Sequence, residues 1–481
     1  MVRRQDRQKR PATQARTPPP PPPAEPYRIS ASTPFDFTAK HLTPYGGLLP
    51  VATMLERLGF QALIEETLTV GRLTRVMSVY QFVLALVLGQ YLGFARLHQL
   101  RFVARDPMLT GILHVTQLPP QSTLWRFLAS LHRHIAGQIL TVQGRLRARV
   151  WAASHVRLRA VTLDTDTTVH TVYGDKMGAR KSYNPKNKGK ESYQPILTFL
   201  AETREYIWGE LHNGDRPTGH QIGAHLRHAF AALPPDIRRY GRADSGFYCW
   251  DAVAAYEAAA CRFVIVARKT APLLAALTQA QWQPSPHTDA DAQCAFRYQP
   301  DGWPQAYRFV ALRYEQPPDV PTPPVEQYQL FATETYTYRV FVTNMADPIA
   351  QVVWFYHQRA GAENLIKEAN NDAGLTVHPS HRFDVNGNHF QLAMLAYNLN
   401  CWLLLFQRDD TAIEATTLHH TTLATARLTF LFVAAKIWRH AGRTGVSYSA
   451  AFSEQPIVQR LMDRLRRVTP AFAPVLKCAM T

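Results

Sequence analysis

Cysteine is scarce in this chain and badly placed for any cooperative role. Only Cys249, Cys261, Cys294, Cys401 and Cys478 occur among 481 residues. No Cys-x-x-Cys pair is present, which argues against a zinc site or a disulfide framework. Acidic residues are also in deficit: 36 Asp and Glu stand against 53 Lys and Arg, a formal charge of +17. That balance favours a polyanionic partner, through phosphate neutralisation and counterion release, over a membrane surface. The opening Met-Val-Arg-Arg-Gln-Asp-Arg lacks the apolar centre of a secretion signal, so a cytoplasmic setting is expected. One uncharged run, Val76 to Ala95, reaches spanning length, but Ser78, Gln81 and Gln90 interrupt it. It reads as a buried core helix, and no membrane partner is expected.

Against these absences, 46% hydrophobic and 11% aromatic residues can bury a large core. Residues 1–40 combine scattered basic residues with the run Pro18 to Pro23, which predicts an extended basic arm. Residues 41–155 carry helical periodicity and are the expected DNA-binding region. There the stretch after Leu118 starts a helix, with Ser122 or Thr123 available to cap it, and His132, Arg133, His134, Arg145, Arg147 and Arg149 make its sequel basic. Two readings stay open at that point, a helix-turn-helix entering a groove and a solvated basic face. Residues 156–268 alternate strands and helices, 269–338 form a proline-punctuated β-rich insertion, 339–410 resume the α/β pattern, and 411–481 read as helical.

The densest polar chemistry lies in a helical pattern from Tyr356 to Asn371. Val353, Trp354, Leu365, Ile366 and Ala369 form a stripe for packing, while Tyr356, Arg359, Glu363 and Lys367 recur three or four residues apart on a second face. Upstream, the strand-like Val161 to Val169 puts Asp164 and Asp166 on one face, and a strand ending at Ala243 delivers Asp244 into a Ser-Gly turn. Carboxylates from three elements repel one another at close range, so a divalent cation is their natural partner, and all-oxygen ligands favour Mg²⁺, with Mn²⁺ as the other choice. Between the first two acids, Gly174 to Lys190 sets Lys181, Lys186, Lys188 and Lys190 among Tyr183, Asn184 and Gly189. This composition suits a hairpin that grips a phosphate backbone.

Taken together, Asp-Thr-Asp-Thr-Thr at 164–168, Ser-Tyr-Asn-Pro at 182, Ser-Tyr-Gln-Pro at 192, Arg-Ala-Asp-Ser-Gly-Phe-Tyr at 242–248 and the 356–371 helix resemble a DDE transposase of bacterial insertion sequences. Within that class the chain is most similar to the thirteen-eighty type of the insertion-sequence-four superfamily. The resemblance implies an RNase H-like α/β core interrupted by the β-rich insertion, which accommodates the 119 positions between Asp244 and Glu363. It further implies that Asp166, Asp244 and Glu363 hold two Mg²⁺ ions for DNA cleavage and strand transfer, with Asp164 the second choice to Asp166. Tyr356, Arg359, Lys367 and the four lysines would contact DNA. The implied partners are the terminal inverted repeats of a mobile element, target DNA and a second copy of the chain in a synaptic dimer. The superfamily's Lys seven positions after the Glu is Asn370 here, with Lys367 one turn earlier. Two other readings follow from the same residues: an RNase H-like nuclease without transposition, and a decayed or domesticated DNA-binding protein.

Overall fold

The structure is a computed structural model that describes residues 29–71, 77–286, 288–315, 336–408 and 421–469. It divides into Met1–Lys40 and His41–Thr481. In the first unit, residues 29–40 contain a turn but neither helix nor strand; the Pro18 to Pro23 run lies outside the described residues.

The second unit opens with β1 (Leu42–Thr43) and the helices α1 (Leu48–Arg57), α2 (Phe60–Thr67), α3 (Val79–Tyr91), α4 (Pro107–Leu113), α5 (Gln121–Ser130) and α6 (Ile135–Ala153). The uncharged run becomes α3, whose residues Phe82 to Tyr91 are all buried. Ser78 and Gln81 start it as a capping box, each side chain bonding the other's backbone N–H. No helix among the described residues is long and apolar enough to cross a membrane.

Two arginines of the basic sequel after α5 turn towards the protein. Helix α5 starts at Pro120 without a side-chain cap, and α6 packs against α2 and against the long helix described below. Arg147, 4% exposed, lies 3.6 Å from Glu205 and donates to the Tyr206 and Ile207 carbonyls, while Arg149 donates to the Leu58 carbonyl. Two of the six basic residues of this stretch are therefore engaged with the protein's own backbone, while His132, Arg133, His134 and Arg145 are exposed.

Next come β2 (Ala160–Thr167), β3 (His170–Thr171), β4 (Ser192–Tyr193), β5 (Ile196–Leu200), β6 (Tyr206–Glu210), α7 (Gly219–Ala231), β7 (Arg238–Ala243), α8 (Trp250–Ala258) and β8 (Arg262–Val266). They are followed by α9 (Ala271–Thr278), β9 (Gln283–Pro284), β10 (Ala292–Tyr298), β11 (Tyr307–Glu315) and β12 (Tyr336–Thr343). Nine of these strands form one sheet in the order β6-β5-β2-β7-β8-β12-β11-β10-β9. Its first five strands have β2 antiparallel to β5, β5 antiparallel to β6, and β2, β7 and β8 mutually parallel. That order and direction make an RNase H-like sheet. The strands from the proline-punctuated segment continue the same sheet through the antiparallel pairing of β12 with β8, Phe341 opposite Val266. Residues 316–335, with Pro317 to Pro324, lie outside the described residues.

The sheet is covered on both faces, so β5 and β8 read as nearly continuous apolar runs, while β2 and β7 mix apolar and polar residues. On one face Val161, Leu163, Ile196 and Ile265 meet Leu226 of α7 and Val253 of α8. Because side chains alternate, Thr162, Asp164 and Asp166 turn to the other face. There α10 (Ile349–His357) packs Val352, Val353 and Tyr356 onto Val264, Val310 and Phe341, followed by α11 (Ala360–Asn371). The predicted single helix is thus two, broken at Gln358 and Arg359. Trp354, expected to pack, is 64% exposed, while Tyr356 and Arg359, expected on the polar face, are each 6% exposed.

Helix α12 (Phe383–Gln407) runs through the middle of the helical region, buried on nearly all sides. Several of its polar groups are paired: Asn398 bonds both backbone groups of Tyr206, and Trp402 donates to Glu205. After it, α13 (Leu423–Ala426) leads through a π-helical turn to β13 (Ala435–His440) and β14 (Arg443–Tyr448), and α14 (Gln455–Arg467) follows. The tail expected to be helical therefore contains a hairpin, which β1 completes as a three-stranded sheet. Pairing with a segment almost 400 residues upstream is beyond the reach of local periodicity.

Burial leaves several histidines uncharged: desolvation pushes His170 and His389 down to about 4 and His225 to about 3. A histidine with a depressed folded-state pKa binds fewer protons than in the unfolded chain. Its contribution is complete above about pH 6.5 and is lost as pH falls through the folded value. We expect urea unfolding at pH 5 to show up to about 2 kcal/mol less stability per histidine than at pH 7. An unchanged midpoint would show that these rings are hydrated.

Candidate active site

The register of the sheet builds the site. Along the parallel pair β2 and β7, Asp164 is opposite Arg242 and Thr165 opposite Ala243, so the next residues, Asp166 and Asp244, emerge side by side at the carboxyl ends of adjacent strands. Such an end is where an open α/β sheet offers a crevice. The Asp244 carboxylate accepts from the Gly246 N–H at 2.9 Å. A Cβ on Gly246 would lie 2.9 Å from Asp244 Oδ1, so the turn requires glycine for this approach. Arg268 fastens the turn from outside, donating to the Ser245 and Gly246 carbonyls.

The two neighbouring aspartates of β2 have different surroundings. Asp164, 2% exposed, receives both Nε and Nη2 of Arg242 at 2.7 Å, and Arg242 Nη1 reaches the Phe355 carbonyl of α10 at 2.9 Å. This bidentate pair joins β2, β7 and α10 and leaves Asp164 no open side. Asp166 lies on the wall of an open cleft of about 400 Å³ that it shares with Asp244. Its carboxylate is 2.7 Å from Arg359 Nη2, and Arg359 Nη1 is 3.6 Å from Glu363. Burial pushes the Asp166 carboxyl up to about 6 against the pull of Arg359, with Asp244 and Glu363 adding repulsion. The surrounding acids, led by Asp166, hold the Arg359 guanidinium above its usual pKa in spite of its burial.

Glu363 is not gathered into the cleft. Its side chain is 70% exposed, on the far side of the Arg359 guanidinium from Asp166. Among the described residues no three His, Cys, Asp or Glu side chains stand close enough to share a metal ion. The donors nevertheless suit a hard divalent cation: the carboxylates of Asp166 and Asp244 share one cleft, with the Arg359 guanidinium supplying the compensating charge beside Asp166.

Of the lysines, Lys186 lines the same cleft, together with Tyr183, Asn184 and Arg216. Lys181, Lys188 and Lys190 are exposed on the same loop. The loop is not the expected hairpin of regular strands. Only the two-residue pairing of β3 with β4 and a bridge between Arg180 and Ser192 close it. Arg216, which stacks over Tyr183 at 5.6 Å, went unrecognised in the sequence. Its one local signal is its place just before the Thr218 cap of α7.

Tyr356 packs its ring 4.9 Å from Phe341, with Arg339 over it at 5.3 Å. Lys367 is exposed on α11. Asn370, at the position of the superfamily's Lys, is a strut: its amide donates to Thr168 Oγ1 at 3.1 Å, its Oδ1 meets His170 Nε2 at 2.9 Å, and His170 Nδ1 lies 3.2 Å from His378. The network ties the end of α11 to the segment just after Asp166. Asn370→Ala is expected to lower stability by about 1–3 kcal/mol. It should also reduce DNA cleavage more than DNA binding, measured by gel and by anisotropy. Full activity with an unchanged melting temperature would remove the strut from the account.

A five-strand core of this order, with acids side by side on its two central parallel strands, defines an RNase H-like catalytic domain. The chain belongs to the transposase DDE domain group 1 family, whose model matches residues 30–470, and it is a DDE transposase. No curated protein matches the sequence. A solved piggyBac transposase synaptic complex with hairpin DNA is similar at 10% identity and a TM-score of 0.42, over 89% of this chain and 86% of that one.

Proposed function

We propose that the protein binds the terminal inverted repeats of its own mobile element and excises and inserts that element by metal-dependent DNA cleavage and strand transfer, acting in the cytoplasm as a synaptic dimer. The observation that carries this reading is the pairing of Asp166 with Asp244 at adjacent strand ends, in a cleft whose rim supplies Lys186 and Arg216. Within the class, the motifs around Asp166, Asp244 and Glu363 favour the thirteen-eighty type of the insertion-sequence-four superfamily.

Asp166, Asp244 and Glu363 would hold Mg²⁺, or Mn²⁺, as two ions. When bound, the metal would activate the attacking oxygen and stabilise the leaving one. Asp166 and Asp244 accept the charge from fixed strand ends, so little reorganisation is required of them. Arg359 neutralises Asp166 in the free protein. As Arg359 and Glu363 both lie on α11 or at its start, a shift of that helix would exchange guanidinium for carboxylate beside Asp166. Lys186 and Arg216 are placed to hold phosphates at the cleft, and Lys181, Lys188 and Lys190 to follow the backbone further out. Tyr356, by the resemblance, and the exposed Lys367 on α11 would contact DNA beside Arg359.

The test is to incubate the protein with duplexes taken from the ends of the segment flanking its reading frame, with and without Mg²⁺, and to size the strands on a denaturing gel. Metal-dependent cuts at the element ends support the reading; their absence with both Mg²⁺ and Mn²⁺ refutes it.

A further inference from the structure

We infer that the β13–β14 hairpin is a separate contact for duplex DNA, a basic ribbon built on a different sheet from the catalytic carboxylates; the inference rests on the DNA reading above. The hairpin reverses through Ala441 and Gly442, both at positive φ (48° and 75°), between the paired His440 and Arg443. That two-residue turn gives a narrow, twisted ribbon of the kind a major groove about 12 Å wide accepts. At its base, Ile437 and Val446 pack on the helical core, which fixes the ribbon's direction.

Charge and shape agree along the free part. Lys436, His440 and Arg443 share the face turned from Ile437, and Arg439 lies on the other; all four are exposed. No acidic residue occurs from Thr421 to Ser453, so nothing on the segment balances them. Trp438, on the same face as Lys436, is paired with Gly445, and a Cβ there would fall 2.0 Å from the indole. The glycine lets the indole lie across the ribbon with 43% of the residue exposed. Cations around a half-exposed aromatic fit phosphate and sugar, and suit an acidic protein surface less well because Trp438 would have no apolar partner there.

The experiment measures binding of the full chain to a fluorescent random-sequence duplex over a salt series, for the wild type and for the triple variant Lys436→Ala, Arg439→Ala, Arg443→Ala. Each phosphate neutralised contributes about 0.9 to the slope of log affinity against log salt. The triple variant should therefore lose about 2 to 3 from that slope, with an unchanged circular dichroism spectrum. Arg443→Ala alone, at the exposed turn, should lose about 1 and remains informative if the triple variant misfolds. Trp438→Phe should keep the slope and weaken binding severalfold. Slopes equal to a salt-dependent wild type would overturn the hairpin assignment and leave the DNA reading intact. A wild type that does not bind duplex at all would overturn the DNA reading itself. Dissociation of a dimer by the variants, without change in the slope, would assign the ribbon to a second copy of the chain and equally overturn the proposal.

Discussion

Asp166→Asn is expected to abolish metal-dependent cleavage of element ends while leaving DNA affinity within about twofold. A neutral amide is a poor ligand for a hard cation but keeps the shape of the carboxylate, and losing several kcal/mol of transition-state stabilisation slows the reaction about a thousandfold or more. The structure sharpens the comparison with Asp164, two residues earlier on the same face. Asp164 has both oxygens occupied by Arg242 and does not line the cleft of Asp166 and Asp244, so Asp164→Asn should keep measurable cleavage and instead lower the melting temperature. Cleavage by Asp166→Asn at the wild-type rate would remove Asp166 from the catalytic set. Loss of cleavage by Asp164→Asn in a chain of normal stability would move the assignment there.

Removing Arg242 should have the largest effect on stability. Arg242→Ala strands the 2%-exposed Asp164 without its bidentate partner and breaks the bond to the Phe355 carbonyl. Breaking a buried pair by deleting one member costs about 3–5 kcal/mol, because the remaining charge is uncompensated. Arg242→Lys should recover little of this, since an ammonium cannot reproduce the fork that spans both Asp164 oxygens and Phe355. The double change Asp164→Leu, Arg242→Met should be far less damaging than the sum of the single changes, which a double-mutant cycle in urea would measure. Additive losses would mean that the two side chains act independently.

Much of this arrangement can be read from the chain alone, where local pattern and tertiary packing agree. Ile196–Leu200, Tyr206–Glu210 and Arg262–Val266 announce themselves as strands because each is apolar, short and bounded by turn residues. The proximity of Asp166 and Asp244 follows from their places at strand ends once β2 and β7 are adjacent. What escapes local reading depends on distant partners. The division of α10 from α11 leaves the helical period of 356–371 nearly intact, so the inward turn of Arg359 is visible only through its contact with Asp166. Arg147 looks like a DNA contact until the buried Glu205 is placed beside it. The β13–β14 ribbon, in a segment that reads as helical, takes its third strand from Leu42 and Thr43.

The continuation of the catalytic sheet through β9 to β12 also has a meaning in time. A chain emerging from the ribosome delivers Asp166 first, then Asp244, and must complete five more strands, β8 to β12, before α10 has a surface to lie against. Arg359 and Glu363 come only after that surface exists. The inserted strands thus separate, in the order of synthesis, the half of the catalytic centre that carries Asp166 and Asp244 from the half that carries Arg359 and Glu363.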